Sequence, residues 1–190
     1  MRLFIAVPLP EKVKKKATLL IKKTEKDFFR GENFLCKIKW LKKENMHITL
    51  KFLGETGVDP EKIKDALGLS ADGVSPEKME LNRPGIFTQK RPRILWLGAS
   101  RQSKSLRELY ESLNVNFAPL GFEIDRRKFI PHLTLGRVKK GRVNKETVKN
   151  FLTRKIEPLN FEIDRVSLFE SKLTPQGARH NIIYNAELND

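Results

Sequence analysis

The sequence predicts an α/β protein of two similar lobes, with helices outside and a central cleft that carries one histidine-bearing strand from each lobe. Strands and helices alternate along the chain in two rough halves, and each half holds one long amphipathic helix. One four-residue pattern also occurs once in each half, as His47-Ile48-Thr49-Leu50 and as His132-Leu133-Thr134-Leu135. No Pro-, Gly- or Ser-rich linker separates the halves, so the 190 residues suit one domain or two tightly joined lobes.

The first half begins with an apolar run over residues 3–7, which is typical of a buried strand. Over 11–29, apolar residues recur at three- and four-residue steps beneath a lysine-covered outer face, and Gly31 is the expected stop of that helix. The pair Asp59-Pro60 is a start signal for a second helix, which we expect to end at Gly68. The predicted elements are strands over 3–7, 38–41 and 46–53 and helices over 11–29 and 60–68.

The second half contains a nearly continuous apolar run over residues 93–98, which is typical of a central strand. Ser105 with Glu108 predicts a capping box for a helix that reaches Phe117, and Asn144 caps a shorter helix. The other predicted elements are a strand with one wet face near 79–81, the second histidine strand over 130–138, and a hairpin of 166–173 with 182–188.

The charge balance favours an anionic partner. Lysine and arginine number 38 against 23 aspartate and glutamate, which gives a net charge of +15. Nucleic acid fits this excess better than a membrane does, and the plain alternative is a solvated lysine-rich surface. Abundant lysine and glutamate with scarce glutamine are typical of thermophile proteins, but ion-pair networks need both signs and here one sign dominates.

The cysteine count and hydropathy place the expected protein in the cytoplasm. The single cysteine, Cys36, excludes an intramolecular disulfide and a multi-cysteine zinc site, and we expect it to be a buried thiol. Only five apolar residues precede Pro8, so no signal peptide is expected, and no apolar run approaches the roughly 20 residues of a membrane span.

The two His-x-Thr-x patterns predict a pair of polar groups on one face of each strand. Successive side chains of a strand point to opposite faces, so His47 lies beside Thr49 while the apolar neighbours enter the core, and the second pattern repeats this. Imidazole titrates near neutrality, and two imidazoles can serve as the base and the acid of one reaction. With hydroxyls that bind phosphate oxygens and cations that offset their charge, such a pair suits metal-free opening of a strained cyclic phosphodiester.

Two other interpretations of the histidines are weaker. A catalytic zinc needs about three protein ligands, and no third ligand repeats the frame, although a carboxylate from elsewhere stays open. Two structural histidines in a sheet would be the favoured interpretation of one motif, but the repetition favours a functional pair. We therefore expect no metal and no cofactor.

The chain resembles the two-histidine (2H) phosphoesterase superfamily, specifically its archaeal and bacterial 2′-5′ RNA ligases, also called RNA 2′,3′-cyclic phosphodiesterases. The resemblance spans nearly the whole chain, in the blocks 2–7, 40–55 (WLKKENMHITLKFLGE), 93–98, 131–138 (PHLTLGRV) and 168–177 (LFESKLTPQG). It implies one bilobal domain over residues 1–190, built from antiparallel sheets around a cleft. It also implies hydrolysis of a terminal 2′,3′-cyclic phosphate to a 2′-phosphate, with 2′-5′ ligation of tRNA halves in some members.

The resemblance implies a role for each residue of the pattern. His47 is the expected proton donor to the leaving 3′ oxygen and His132 the expected proton acceptor from water, roles that reversal into ligation would exchange. Thr49 and Thr134 are the expected phosphate-binding hydroxyls. The implied partner is RNA that ends in a cyclic phosphate, including tRNA halves, bound by a monomeric protein without membrane contact.

Two further substrate contacts are implied at the fifth position after each histidine, Phe52 and Arg137. There the family can place a stacking ring and a cation against the terminal base. Strict alternation turns these residues away from the histidine face, so the idea requires a bend, which Gly136 would allow. The alternatives are a core position for Phe52 and an ordinary surface charge for Arg137.

One departure from the family concerns the segment after Ser171-Lys172-Leu173-Thr174-Pro175-Gln176-Gly177, where relatives often carry an aromatic residue. This chain has Ala178-Arg179-His180 there, and we expect His180 to be a turn histidine near solvent, outside the catalytic pair. Two other functions remain open from the sequence: a basic RNA-binding module without turnover, and a phosphodiesterase of small cyclic nucleotides. The second would not need an extended basic surface.

Overall fold

A computed structural model describes residues 1–29, 36–88, 93–175 and 177–189. The described residues form nine strands and four helices. The strands are β1 (Arg2–Pro8), β2 (Cys36–Trp40), β3 (His47–Glu55), β4 (Glu77–Phe87), β5 (Ile94–Ala99), β6 (His132–Gly141), β7 (Leu159–Ile163), β8 (Arg165–Thr174) and β9 (Gly177–Glu187). The helices are α1 (Glu11–Phe29), α2 (Pro60–Ala71), α3 (Lys104–Phe117) and α4 (Lys145–Leu152).

The strands join in one antiparallel path with the order β7-β4-β5-β6-β3-β1-β8-β9, and β2 pairs additionally with β6. This path consists of two four-stranded halves that meet at the histidine strands. There, β3 and β6 share the single pair Ile48 with Leu133, and both side chains are fully buried. The predicted α/β fold of antiparallel sheets is confirmed, with the added finding that a narrow seam makes the two sheets continuous.

The two halves are related by a pseudo-twofold arrangement through this seam. Counted outward from the seam, the strands of one half are β3, β1, β8 and β9, and those of the other half are β6, β5, β4 and β7. The second strand of each series is followed in the chain by a long helix, α1 after β1 and α3 after β5. Two helices pack across the halves: α1 follows β1 but contacts β6 and β7, and α3 follows β5 but contacts β3. Helices α2 and α4 contact strands of the half that they follow. Such crossed packing helps to lock the two histidine strands together.

The apolar residues divide between the two faces of the sheet. The main core lies under the helices and includes the fully buried Ile5, Ile63, Leu109 and Phe117. A second, small cluster of Phe4, Ala6 and Phe169 lies on the opposite face of the β3 half. Because β1 alternates strictly, Ile5 enters the main core while Phe4 and Ala6 face the other way. This second face is the one that carries the histidines.

The structure corrects several predicted boundaries. Helix α2 continues through Gly68 to Ala71, because Ile63, Ala66, Leu67, Ser70 and Ala71 all lie buried on its inner face. The N-cap of α3 is Ser103, whose hydroxyl accepts a hydrogen bond from the Leu106 N–H, so the predicted capping box at Ser105 is wrong. The Ser105 N–H is bonded instead to the Glu77 carboxylate.

One strand was missed by the sequence analysis, and several single-residue predictions have different outcomes. Strand β7 was not predicted from the sequence. Cys36, expected to be buried, is partly exposed on β2. The predicted helix stop at Gly31 and the turn residue Gln176 lie outside the described residues. None of the described helices is both long and apolar enough to cross a bilayer.

Candidate active site

The two His-x-Thr-x patterns lie side by side at the seam of the sheet. Ile48 pairs with Leu133 in antiparallel register, so one step along each strand sets His47 across from Thr134 and Thr49 across from His132. All four side chains are on the face opposite the main core, and all four are partly exposed. The chain thus brings together two imidazoles and two hydroxyls that are far apart in the sequence.

Matching β-bulges follow both patterns. Ile5 pairs with Lys51 and Ala6 with Thr49, which leaves Leu50 as an extra residue of β3. In β6, the partners of Leu95 and Trp96 are Gly136 and Thr134, which leaves Leu135 as the extra residue. A bulge advances the strand by one residue and therefore reverses the alternation of the side chains that follow.

The bulges return the fifth residue after each histidine to the histidine face. Phe52 is 68% exposed, so it is not a core residue, and its ring centroid lies 6.2 Å from that of Phe4. Arg137 is exposed, and its positive charge lowers the pKa of both His47 and His132. The bend that the sequence required is present in both strands, as a bulge at Leu50 in β3 and a bulge at Leu135, directly before Gly136, in β6.

The ring of His132 is held in one orientation. Its Nδ1 lies 2.8 Å from the carbonyl oxygen of Ile130, and a carbonyl only accepts, so Nδ1 carries the proton. In the neutral ring, Nε2 is then free to accept a proton. Phe87 meets the ring edge-on at 4.9 Å and Trp96 lies 5.9 Å away, and burial lowers the pKa of His132.

His47 has the corresponding anchor, a hydrogen bond to the backbone of Asn45, also two residues earlier in the chain. Phe4 and Phe169 flank its ring at centroid distances of 4.8 and 5.7 Å. Burial among these rings, and next the charge of His180, lower the pKa of His47 to about 3. His47 is therefore neutral at pH 7.

His180 belongs to this site, and its predicted place in a solvent-exposed turn is wrong. It lies within β9, across from Ser171 of β8, and its ring contacts His47 and Phe4 at centroid distances of 5.5 and 5.0 Å. Among the described residues its buried Nδ1 has no hydrogen-bond partner. No sequence pattern indicated this contact, because His180 lies 133 residues from His47 and lacks the repeated frame.

The indole ring of Trp96, which contacts His132, packs against two glycines. A Cβ atom on Gly85 would overlap the indole ring, and one on Gly98 would lie 2.6 Å from it. The indole thus lies against bare backbone on β4 and β5, where only glycine leaves room. Sequence reasoning identified neither glycine, since their importance depends on pairing between β4, β5 and β6.

Lys51 is a further residue that the sequence analysis missed. The bulge at Leu50 turns it to the core side, where it is only 6% exposed. Its Nζ donates to the side-chain oxygen of Asn114 and to the backbone oxygen of Glu123, both at 2.8 Å. These bonds satisfy a buried ammonium and tie β3, and with it His47, to α3 and the segment that follows.

Other polar regions of the described chain fit a phosphate less well. No group of three or more His, Cys, Asp or Glu side chains suited to a metal ion occurs within residues 1–29, 36–88, 93–175 and 177–189. A cavity of about 710 Å³ lies beside the start of α3, and its lining has three carboxylates, Glu77, Glu80 and Glu162, against the two cations Lys78 and Arg101, so its charge does not favour an anion. The histidine cleft has the positive charge of Arg137 beside both imidazoles, and this charge attracts a phosphate.

The sequence around this cleft is similar to one known family. A family model described as the 2′-5′ RNA ligase superfamily matches residues 36–174, which include both histidine strands. The chain belongs to this superfamily. The predicted relationship is therefore confirmed over most of the chain.

Curated relatives of this superfamily align over nearly their whole length. The chain is 36% identical to the RNA 2′,3′-cyclic phosphodiesterase of Methanocaldococcus jannaschii over 187 residues, which is 96% of this chain and 98% of the relative. It is 34% identical to the protein of the same name from Thermotoga maritima, covering 98% and 95%. Both organisms are thermophiles, which is consistent with the thermophilic composition predicted from the sequence.

Two solved structures share the fold of this chain. The Thermus thermophilus protein TT0787 superposes with a TM-score of 0.74 at 27% identity, covering 99% of this chain and 98% of that one. E. coli LigT, solved in complex with 3′-AMP, superposes with a TM-score of 0.76 at 22% identity, covering 100% and 98%. Both agree with a mixed α/β architecture of antiparallel strands.

Proposed function

We propose that this protein hydrolyses the 2′,3′-cyclic phosphate at the end of an RNA to a 2′-phosphate, with His47 and His132 as its acid and base. The observation that carries the proposal is the seam, where two backbone-anchored imidazoles and two threonine hydroxyls share one face. The curated relatives named RNA 2′,3′-cyclic phosphodiesterase support it. The net charge of +15 supports an RNA substrate.

In the proposed reaction, water attacks phosphorus while Nε2 of His132 accepts one of its protons. The bond from phosphorus to the 3′ oxygen breaks, and His47 donates a proton to that oxygen. The products are a 2′-phosphate and a free 3′ hydroxyl, and the proton gained by His132 returns to solvent as His47 is reprotonated. Thr49 and Thr134 hold the non-bridging oxygens, and Arg137 offsets the charge that develops on them.

The donor role of His47 requires the substrate. With a pKa of about 3, this imidazole holds no extra proton at pH 7 before substrate binds. A bound cyclic phosphate brings a negative charge beside the ring, and an opposite charge at close range favours the protonated form. Substrate binding therefore charges the acid that the reaction consumes.

The exposed ring of Phe52 supplies a stacking surface for the terminal base, and Arg137 lies on the same side as a cation. We further propose that tRNA halves are among the substrates, and that reversal of the reaction with a 5′ hydroxyl as the attacking group gives 2′-5′ ligation. The protein acts as a monomer. Its location is the cytoplasm, where thiols stay reduced, which suits a chain with a single cysteine.

The direct test is turnover of an oligonucleotide that ends in a 2′,3′-cyclic phosphate, with EDTA present. We expect a 2′-phosphate product, because two imidazoles complete the chemistry without a metal. Loss of all activity in EDTA, with recovery on adding zinc or manganese, would overturn the metal-free mechanism. Binding of the RNA without any turnover would instead favour a binding module.

Substitution of the histidines tests whether they act as one unit. His47→Ala and His132→Ala should each reduce turnover by about 10²-fold or more, and the double variant should lose far less than the product of the two losses. Thr49→Val and Thr134→Val should lose less, since each removes one hydroxyl bond. If either His47→Ala or His132→Ala folds and keeps near-normal turnover, the assignment of these two histidines as acid and base is refuted.

A substrate with sulfur in place of the bridging 3′ oxygen separates the acid from the base. A thiolate leaves without a proton, so the variant that lacks the acid should recover on this substrate while the variant that lacks the base should not. We expect His47→Ala to be rescued and His132→Ala to remain impaired. Rescue of His132→Ala alone would reverse the two roles.

A further inference from the structure

Strands β2 and β6 place like charges directly opposite each other. In their register, Lys37 pairs with Lys140 and Lys39 pairs with Arg137. Like charges that face each other across two strands destabilise the pair, and a sheet edge could avoid this with any neutral polar residue. All four side chains are exposed, so solvent screens the repulsion but does not remove it.

These four cations, here called the cation ribbon, extend the face of the catalytic cleft. Ile38 and Trp40 of β2 pack against the main core, so the alternate residues Lys37 and Lys39 point to the opposite face. After the bulge in β6, Arg137 is on that same face with His132. The cation ribbon therefore begins beside the histidines and leads away from them along β2 and β6.

The charges of the cation ribbon have no acidic partner within the described residues. The ion pairs found there involve other lysines and arginines, such as Lys16 with Glu157 and Lys43 with Glu11. Lys39 reaches toward the turn between β8 and β9, where its Nζ lies 3.2 Å from the position of a Cβ on Gly177. The ammonium group is thus held at the side of the cleft formed by the other half of the sheet.

We propose that the cation ribbon binds the phosphates of the RNA strand that leads to the cyclic end. This inference rests on the proposed function and names where the body of its substrate lies. The partners of Arg137 and Lys140 on β2, Lys39 and Lys37, are two residues apart, because a bulge in β6 takes up the extra residue. The ribbon therefore extends roughly 7 Å, which is the rise of about two stacked nucleotides. Bound phosphates would neutralise both like-charge pairs, and the continuity with the cleft fits a polymer anchored at its end.

The variant Lys37→Gln/Lys140→Gln tests the proposal at the end of the ribbon remote from the histidines. Lys22→Gln/Lys23→Gln is the matched control, because it removes the same charge from exposed positions on α1. Binding is measured with a 12-nucleotide RNA that already ends in a 2′-phosphate, so the result does not depend on turnover. Turnover is measured separately with a 2′,3′-cyclic mononucleotide, which is too short to reach the ribbon.

We expect the ribbon variant to bind the 12-nucleotide RNA about tenfold more weakly at low salt, and the control to bind it like the wild type. The slope of log affinity against log salt should become shallower by about 1.4, since each phosphate contact to a single strand contributes about 0.7. Mononucleotide turnover should stay within twofold of wild type. The melting temperature should be equal or higher, because repulsion is removed.

Equal losses in the ribbon variant and the control would show a general effect of net charge and would overturn the proposal. Unchanged RNA binding by the ribbon variant would overturn it too, as would weaker binding to anionic phospholipid vesicles with unchanged RNA binding. If the wild type binds the RNA through the ribbon but turns over neither substrate, the proposed function fails while the RNA-binding surface stands. The single variants Lys37→Gln and Lys140→Gln, each with half the change in slope, replace the double variant if it does not fold.

Discussion

Most of the groups around His47 oppose its protonation, while its hydrogen bond to the backbone of Asn45 favours it. The rings of Phe4 and Phe169 exclude water, and His180 adds a second titratable ring at 5.5 Å. Burial lowers the pKa of His180, and the charge of Arg2 lowers it further. A relative with an uncharged aromatic residue in place of His180 would lack the electrostatic part of the shift in the His47 pKa. We therefore expect the pKa of His47 to be lower in this chain than in such a relative.

We predict that His180→Phe raises the pKa of His47. Phenylalanine keeps a ring against Phe4 but removes the positive charge that disfavours a second charge on His47, while Arg2 and Arg137 remain. An NMR titration of the His47 ring measures this directly. If His47 is the acid, kcat/KM at neutral pH should also rise, because a larger fraction of the protein then carries a protonated His47 together with a neutral His132. An unchanged or lower His47 pKa in a folded variant would contradict the prediction.

Strands β4, β5 and β6 together fix the position of His132. The Trp96 indole lies on the backbone of Gly85 and Gly98 and contacts the imidazole, so the position of the His132 ring depends on residues as far as two strands away. A methyl group on Gly85 would displace the indole, since its position falls far inside contact distance of the ring atoms. Steric fit in these strands therefore has a chemical consequence.

Gly85→Ala should destabilise the protein by about 1–3 kcal/mol, the usual cost of overpacking, and should reduce turnover by moving Trp96 against His132. Gly68→Ala is the matched control. It lies within α2 with only the Tyr184 hydroxyl near its Cβ position, at 3.8 Å, and should stabilise by about 0.5–1 kcal/mol with normal turnover. Denaturant unfolding and kinetics check both. Unimpaired stability and activity in Gly85→Ala would show that Trp96 does not position His132.

At the scale of the whole molecule, the fold holds all three of its histidines less basic than in an unfolded chain. The pKa values of His47, His132 and His180 are all lowered, chiefly by burial. Between the lowered values and 6.5, the unfolded chain therefore binds more protons than the folded one. Stability then rises with pH over this range and falls as the solution is acidified.

We predict that the free energy of unfolding decreases between pH 6.5 and pH 5. His47 alone should contribute about 1–2 kcal/mol of that decrease, because its folded pKa of about 3 keeps it neutral while the unfolded chain takes up a proton. His47→Gln should reduce the decrease by that amount in denaturant unfolding at the two pH values. Asp125 does not contribute between pH 6.5 and pH 5. The hydrogen bond from Arg127 lowers its pKa to about 2, so this carboxyl affects stability only at lower pH. A wild-type protein that gains stability on acidification would refute the prediction.

The sequence by itself determined the α/β class, the repetition of the histidine pattern and the family. It could do so because a strand has a period of two and because a repeated four-residue frame needs no tertiary information. Helix α1 was predicted at its observed limits, since its apolar spacing is long and regular. The end of α2 was not, because burial of Ser70 and Ala71 outweighed the helix-ending tendency of Gly68.

Only the tertiary structure decided which distant residues join the site. The bulges at Leu50 and Leu135 arise from pairing with β1 and β5, and without them Phe52 and Arg137 would face the core. His180 reaches His47 because β9 is added to the sheet through β8 and β1, a neighbour relation that strand order alone creates. Local periodicity records which side of a strand a residue occupies, whereas register and strand order determine what stands beside it.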